Sequence, residues 1–163
     1  MNLKVIIVED EPLSRGFLER YCEKLGDIEV TGSFEDAEMA LEYLHKNEID
    51  VIFLDVEMPN LSGFQLLDQM MYMPKVILTT SKTDYAFDAF QYGVADYLKK
   101  PITFNRFKEA LDKIKHLINK EHQPILNKSQ EVNLTEIYIK SEGKLTRLNF
   151  EDILYIESIG DYV

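Results

Sequence analysis

Hydrophobic residues in the first 120 positions alternate between short continuous runs and helix-like spacing. The continuous runs are rich in β-branched residues and occupy Leu3–Val8, Ile28–Thr31, Val51–Leu54, Val76–Leu78 and Ala95–Leu98. Runs of this length predict strands that are buried on both faces, as in a parallel sheet. Between the runs, apolar residues recur at every third or fourth position, which predicts a helix after each strand. Residues 1–120 are therefore predicted to form an α/β domain with a five-stranded parallel sheet and helices on both faces.

The pattern changes after residue 120. Residues 121–135 are polar and lack periodicity, which predicts a linker. Residues 136–163 hold two short apolar segments on either side of a turn at Ser141–Lys144, and a further apolar run at Ile153–Ile156. These features predict a hairpin and a third strand, a short and incomplete all-β segment. Because three such strands bury little core, we expect the chain to be a piece of a longer protein.

Composition and charge exclude several classes of protein. The net charge of −11 and the pI near 4.7 disfavour nucleic-acid binding through bulk charge. The single cysteine, Cys22, excludes an internal disulfide, and neither it nor the three histidines have metal-ligand spacing. The sequence shows neither a signal-peptide pattern nor an apolar stretch long enough to span a membrane. We therefore expect a cytoplasmic protein that does not enter a membrane.

Polar residues follow four of the five predicted strands. Glu9 and Asp10 follow the first strand, Asp55 the third, Thr79–Ser81 the fourth and Lys100 the fifth. Ligands of open α/β sheets bind at the carboxyl ends of the strands, where these side chains converge. Clustered carboxylates favour Mg²⁺, a lysine and a hydroxyl can hold phosphoryl oxygens, and an aspartate can act as a nucleophile. Taken singly, each acid could equally be a helix cap, so the prediction rests on the whole set.

These residues stand in motifs that resemble the receiver domains of two-component response regulators. The matching segments are VIIVEDEP at 5–12, VIFLDVEMPNLSGFQLL at 51–67, VILTTS at 76–81 and ADYLKKPI at 95–102. The resemblance covers residues 1 to about 120 and implies a flavodoxin-like (βα)5 fold.

The resemblance also implies roles for the acidic residues. Asp55 would be the phosphoacceptor, and Glu9 with Asp10 would form the acidic pair that holds Mg²⁺ beside it. Glu57 would contribute its backbone carbonyl to the metal. The pair is Glu-Asp instead of the commoner Asp-Asp, so the contact of Glu9 with the metal could be direct or through water.

The remaining roles fall on strands four and five. Thr80 fits the switch hydroxyl better than Thr79, since it directly precedes a small residue. Tyr97 occupies the position of the rotating aromatic side chain, although an ordinary half-buried strand aromatic is the alternative. Lys100 would bind the phosphoryl group, and the Lys100–Pro101 peptide bond is usually cis in this family.

The last 27 residues, IYIKSEGKLTRLNFEDILYIESIGDYV, resemble the start of a LytTR-type DNA-binding domain. Only the first strands of such a domain are covered, and its base-reading residues lie mainly further along. We therefore assign no DNA-contact residues, and we expect the full-length protein, but not this piece, to bind DNA.

The resemblances together imply a phosphorylation switch. A sensor histidine kinase would phosphorylate Asp55, and the chain would then form a homodimer through its strand 4-5/helix 4-5 face and regulate transcription. Residues 99–120 carry seven basic and two acidic side chains. Nucleic-acid binding is the alternative for this charge, but we favour pairing of Arg106, Lys108, Lys113 and Lys115 with acids of the second copy. No enzymatic turnover is expected beyond self-phosphorylation and slow autodephosphorylation. A Mg²⁺-dependent phosphohydrolase and a protein-interaction module without DNA binding are the alternatives.

Overall fold

The computed structural model describes residues 2–82, 84–122, 136–141 and 144–149. The chain divides into two units, Met1–Gln123 and Pro124–Val163. The first unit alternates strands and helices in the order β1 Leu3–Val8, α1 Pro12–Glu23, β2 Ile28–Phe34, α2 Ala37–Leu44, β3 Val51–Asp55, α3 Gly63–Gln69, β4 Lys75–Thr80, α4 Ala86–Gln91, β5 Asp96–Lys99 and α5 Phe104–His122.

The sheet of the first unit has the strand order β2-β1-β3-β4-β5, and every neighbouring pair is parallel. Its register sets Asp55 opposite Thr79 and Thr80 opposite Lys99. The carboxyl ends of β3, β4 and β5 therefore meet at one edge. The predicted flavodoxin-like (βα)5 fold is confirmed.

Alternate residues of each central strand pack into separate cores on the two faces of the sheet. Ile52 and Leu54 lie in the core that α2 and α3 cover. Val51 and Phe53 lie in the core that α1 and α5 cover, where Phe53 stacks on Phe107 with ring centroids 4.9 Å apart. Because both faces are covered, the strands are apolar throughout, as the continuous runs in the sequence predict.

Local capping fixes where the helices begin. Pro12 occupies the first turn of α1, where a missing N–H costs nothing. Asp36 caps α2 by accepting a hydrogen bond from the Met39 N–H at 2.7 Å. Ser62 and Gln65 form a reciprocal capping box at the start of α3. These caps hold the loops that leave the carboxyl edge of the sheet.

Two elements end at positions that the sequence pattern misses. β2 extends to Phe34, whose carbonyl accepts a hydrogen bond from the Glu9 N–H at 3.0 Å, and a register shift between Val5 and Ile6 accommodates the longer strand. α3 ends at Gln69, although its apolar spacing continues to Met71. The following Tyr72 hydroxyl donates to the Asn47 carbonyl at 2.6 Å and so holds the chain in a connecting segment.

The second unit contains an antiparallel hairpin of β6 Glu136–Ser141 and β7 Lys144–Asn149. Its strands coincide with the predicted hairpin. The linker is predicted to begin at residue 121, but α5 continues to His122. The rest of the predicted linker and the predicted strand Ile153–Ile156 lie outside the described residues, so the domain boundaries remain predictions. Among the described helices, none is long and apolar enough to cross a membrane.

Candidate site at the carboxyl edge of the sheet

Asp55 is the central residue of a buried acidic cluster. It ends β3 and is 3% exposed. One carboxylate oxygen, Oδ2, lies 2.8 Å from Lys100 Nζ, and Oδ1 accepts a hydrogen bond from the Glu57 N–H at 3.2 Å. A carboxylate fixed in this way presents its oxygens to the space above the sheet edge and can act as a nucleophile there.

Glu9 lies directly after β1 and is fully buried. Its Oε1 accepts hydrogen bonds from Lys100 Nζ at 2.8 Å and from the Glu11 N–H at 3.3 Å. Burial raises the pKa of Glu9 to about 7, against the opposing hydrogen bond from Lys100. Its second oxygen, Oε2, is buried and finds no hydrogen-bond partner among the described residues. A buried carboxylate oxygen without a partner is costly unless a further group binds it.

Lys100 links the two carboxylates. Its backbone N–H donates to the Thr80 carbonyl at 2.8 Å, which fixes the end of β5 against β4, and its bond to Pro101 is cis. Burial alone would lower the pKa of Lys100, but the hydrogen bonds to Asp55 and Glu9 and the charges of these carboxylates together outweigh burial and hold this pKa above its ordinary value. The ammonium group therefore stays charged between the two acids.

Three of the predicted residues form a possible cation site. Carboxylate oxygens of Glu9, Asp10 and Asp55 all lie within 4.8 Å of one another. Hard oxygen donors of this kind suit Mg²⁺. Glu9 Oε2 has no hydrogen-bond partner among the described residues, so it is available as a metal ligand. The residues present therefore fit the ion. The Glu57 backbone adjoins the cluster through its N–H, while the role of its carbonyl remains a prediction.

Thr80 and Tyr97, the predicted switch residues, both contact Lys82. The buried Thr80 hydroxyl accepts a hydrogen bond from the Lys82 N–H at 3.1 Å. The Tyr97 hydroxyl donates to the Lys82 carbonyl. The neighbouring Thr79 is also buried, and its carbonyl accepts from the Val56 N–H at 3.0 Å. The described structure thus joins the two switch positions through one residue of the β4–α4 loop.

The side chain of Glu57 contacts the β4–α4 loop. It forms an ion pair with Lys82 and accepts a hydrogen bond from Ser81 Oγ at 2.8 Å. The hydrogen bond from Lys82, followed by that from Ser81, lowers the pKa of Glu57. Sequence reasoning missed this link because Glu57 and Ser81 are 24 residues apart in the sequence, and the register of the sheet brings their loops together.

Gly63 is a second residue that sequence reasoning missed. A Cβ at this position would lie 2.3 Å from the backbone oxygen of Asp55, closer than real contacts allow. The Gly63 N–H also donates to the Val56 carbonyl at 3.1 Å. A glycine therefore lets the start of α3 pack directly against the residue that carries the candidate nucleophile. The only signal in the sequence is its place after Ser62 at a helix start.

The basic residues of the fifth helix are engaged within the chain. Arg106 forms a forked ion pair with Asp96, at 3.1 and 2.6 Å, and also donates to the Tyr97 carbonyl at 3.0 Å. Lys108 pairs with Asp112 at 2.6 Å, and Lys115 pairs with Asp27 at 2.7 Å. These three side chains therefore form ion pairs within this chain, while their pairing with acids of a second copy stays a prediction.

Comparison with known proteins agrees with the fold and the motifs. Residues 5–112 match the family model of the response regulator receiver domain. The transcriptional regulatory protein BtsR of Escherichia coli is 30% identical over 158 residues, which are 96% of this chain and 66% of BtsR. The sensory transduction protein LytT of Bacillus anthracis is 31% identical over 94% of this chain and 65% of LytT. The chain thus spans slightly less than two thirds of the length of these relatives.

Solved structures give the same result. The response regulatory domain of protein mrkE from Klebsiella pneumoniae is 33% identical, with a TM-score of 0.67 over 72% of this chain and 99% of that one. The REC domain of the response regulator AraT from Geobacillus stearothermophilus is 30% identical, with a TM-score of 0.69 over 76% of this chain and all of that one. The chain belongs to the response regulator receiver domain family.

Proposed function

We propose that Asp55 accepts a phosphoryl group from a sensor histidine kinase in a Mg²⁺-dependent reaction. The observation that carries the proposal is the placement of Asp55 between Lys100 Nζ, at 2.8 Å, and the acidic pair Glu9 and Asp10. The site thus offers a nucleophile, a fixed cation for phosphoryl oxygens and a set of carboxylates for a metal ion.

The transfer is an in-line displacement at phosphorus. An oxygen of Asp55 forms the new P–O bond while the P–N bond of the phosphohistidine breaks. The histidine nitrogen keeps the electron pair of that bond and takes up a proton. Lys100 neutralises charge on the phosphoryl oxygens, since its ammonium already lies within hydrogen-bond distance of Asp55.

Glu9, Asp10 and Asp55 would hold Mg²⁺, with the Glu57 backbone carbonyl as a further ligand. When bound, the ion supplies positive charge that lowers the repulsion between the carboxylates and the incoming phosphoryl group. No other catalytic turnover is proposed: the chain phosphorylates itself and slowly loses the phosphoryl group.

The kinase is proposed to dock on an apolar groove beside the acceptor. A groove of about 550 Å³ lies between α1 and the segment after β5, with Leu13, Phe17 and Ile102 in its wall. Ser81 and Lys100 line its polar end, so it opens directly onto the acceptor site. Leu13 and Phe17 remain 72% and 53% exposed, which leaves apolar area for a partner.

The response to phosphorylation is proposed to start at Thr80. Its hydroxyl moves to the phosphoryl group and releases the Lys82 N–H, and Tyr97 turns inwards. The chain then forms a homodimer through the strand 4-5/helix 4-5 face, where Phe90 of α4 is 83% exposed. Such a local charge change shifts the population between two arrangements of the loop.

The output is proposed to be transcription regulation through a LytTR-type DNA-binding domain. The relatives BtsR and LytT are longer than this chain, and BtsR is a transcriptional regulatory protein. The β6–β7 hairpin occupies the part of the chain that resembles the start of such a domain. DNA binding is proposed for the longer protein and not for this piece.

Phosphorylation is tested with acetyl phosphate and Mg²⁺, followed by intact-mass measurement. We expect the wild-type chain to gain one phosphoryl group and Asp55→Asn to gain none. Asp112→Asn, which removes an exposed carboxylate of α5, is the matched control and should behave as wild type. A phosphoryl group on Asp55→Asn would show that the acceptor is another residue.

Docking is tested by comparing donors. Phe17→Glu should slow phosphoryl transfer from the cognate kinase by about tenfold or more, because it removes one apolar contact of the docking groove. It should leave the reaction with acetyl phosphate unchanged, because that small donor does not need the groove. Met39→Glu is the control, because Met39 on α2 is equally 53% exposed. Equal slowing by both variants, or none by Phe17→Glu, would exclude the groove as the docking surface.

A further inference from the structure

Arg15 of α1 contacts the loop that carries the acidic pair. Its Nη1 donates to the Glu9 carbonyl at 2.7 Å and lies 3.5 Å from the Asp10 carbonyl. These are the backbone oxygens of the two residues whose carboxylates approach Asp55. The Arg15 side chain is only 19% exposed, so these hydrogen bonds are largely shielded from water.

The same guanidinium group also reaches the next loop. Its Nη2 lies 3.9 Å from Glu35, in the connection between β2 and α2. Glu35 is 71% exposed, so this ion pair is weak compared with the contacts to the carbonyls. The two kinds of contact can therefore be separated by substituting Glu35.

Other side chains contact the loop between β1 and α1 at its carboxylates: Lys100 Nζ donates to Glu9 Oε1 at 2.8 Å, and Ser14 Oγ donates to Glu11 Oε2 at 2.6 Å. Glu11, the residue before α1, makes no side-chain cap to the helix within the described structure, and α1 has no acid in its first turn. The Glu9 N–H is held by the Phe34 carbonyl at 3.0 Å. Among the described side chains, Nη1 of Arg15 is the atom that reaches the carbonyls of both acidic residues.

We propose that Arg15 is a positioning residue for the Mg²⁺ site: by holding the two backbone carbonyls, it directs the carboxylates of Glu9 and Asp10 towards Asp55. This inference rests on the proposed Mg²⁺ binding. Residues that orient metal ligands typically change metal affinity about 10- to 100-fold when they are removed.

A competing electrostatic effect has the opposite sign. A guanidinium group near the site repels a divalent cation, so an Arg15 that acted only as a charge would weaken Mg²⁺ binding. Removing it would then tighten binding. Positioning predicts the reverse, namely that removal weakens binding. The direction of the change therefore distinguishes the two roles.

The experiment is a Mg²⁺ titration of the full chain without phosphodonor, followed by the backbone amide NMR signals. Arg15→Gln should raise the Kd for Mg²⁺ about tenfold. Arg15→Lys keeps the charge but loses the planar guanidinium group that places Nη1 against both carbonyls, and it should raise the Kd by a similar factor. Glu35→Gln, which removes only the ion pair, should stay within about twofold of wild type.

Phosphorylation supplies a second readout. Arg15→Lys should need about tenfold more Mg²⁺ than wild type for half-maximal reaction with acetyl phosphate, because the defect lies in metal affinity and not in the nucleophile. Thermal unfolding of each variant checks that it is folded. If Arg15→Gln does not fold, Arg15→Lys tests the positioning role on its own.

The outcomes separate this inference from the proposed function. If the wild-type chain binds no Mg²⁺, both are wrong. If it binds Mg²⁺ and the Arg15 variants bind equally well or more tightly, only the positioning role is wrong. Equal weakening by Glu35→Gln would assign the effect to the ion pair and would also overturn the proposal.

Discussion

The carboxyl edge of the sheet and the outer face of α5 both contain lysine–carboxylate pairs, in very different surroundings. At the edge, Lys100 joins two carboxylates that are almost completely buried. On α5, Lys108 and Asp112 pair one turn apart, and both side chains are half exposed. The same chemical groups therefore hold a reactive site together in the buried region, whereas on the exposed helix surface they contribute little to stability.

Removing the buried lysine should have the largest effect. Lys100→Ala leaves Glu9 and Asp55 buried without their shared cation, and we expect a loss of about 3 kcal/mol in the free energy of unfolding. Protonation of Glu9, whose pKa is already about 7, limits the loss. Urea unfolding with EDTA measures it, with the neighbouring exposed Lys99→Ala as control. Equal losses of unfolding free energy in Lys100→Ala and Lys99→Ala would mean that burial of the lysine between the two carboxylates makes no difference to stability.

The next largest effect extends the comparison to the backbone. Gly63→Ala places a Cβ against the Asp55 carbonyl and should destabilise the fold by about 2 kcal/mol. Gly16 of α1 has no described atom within 4 Å of such a Cβ, so Gly16→Ala should stabilise the helix by about 0.5–1 kcal/mol. The signs of the two changes in unfolding free energy must differ if the site edge is as tightly packed as the structure shows.

The smallest effect is expected at Asp96, which is intermediate between the two regions. Burial alone would raise its pKa, but the hydrogen bonds from Arg106 and the Tyr97 N–H, together with the charges of Arg106 and Lys113, outweigh burial and lower this pKa. The folded pKa thus lies below the unfolded one, so the pair stabilises the fold above the unfolded value and this contribution disappears as the pH falls through the folded pKa. Asp96→Asn should cost roughly 1 kcal/mol at neutral pH and nothing in acid.

Lys108→Gln is the control for this measurement. Because its pair with Asp112 is exposed, this substitution should leave the unfolding free energy close to the wild-type value at any pH. Denaturant unfolding from neutral pH down to about pH 3 follows both variants. A pH-independent difference between wild type and Asp96→Asn would mean that the ion pair does not account for the stability of β5.

The strands and the acidic cluster could be predicted from sequence because both follow from local pattern. Five apolar runs define the strands, and residues placed directly after parallel strands must meet at one edge, as Asp55 and Lys100 do. Motif resemblance then supplied the individual roles.

The contacts that sequence could not predict depend on three-dimensional register. Arg15 binds backbone carbonyls, and because every residue has one, the residue types do not reveal this contact. The ion pair of Glu57 with Lys82 joins two loops that only the sheet brings together. The ion pairs of Arg106 with Asp96 and of Lys115 with Asp27 likewise join α5 to other parts of the chain that the sequence pattern does not relate to it.

Lys82 is a residue at which the opening of several contacts of the β4–α4 loop can be followed. Its amide, carbonyl and ammonium groups bind three different parts of the chain: the Thr80 hydroxyl, the Tyr97 hydroxyl and the Glu57 carboxylate. Hydrogen exchange at this one amide would follow release of Thr80, while an isotope label on its carbonyl would follow Tyr97. A single labelled residue can therefore establish the order in which the two contacts open, a kinetic quantity that end-point structures do not contain.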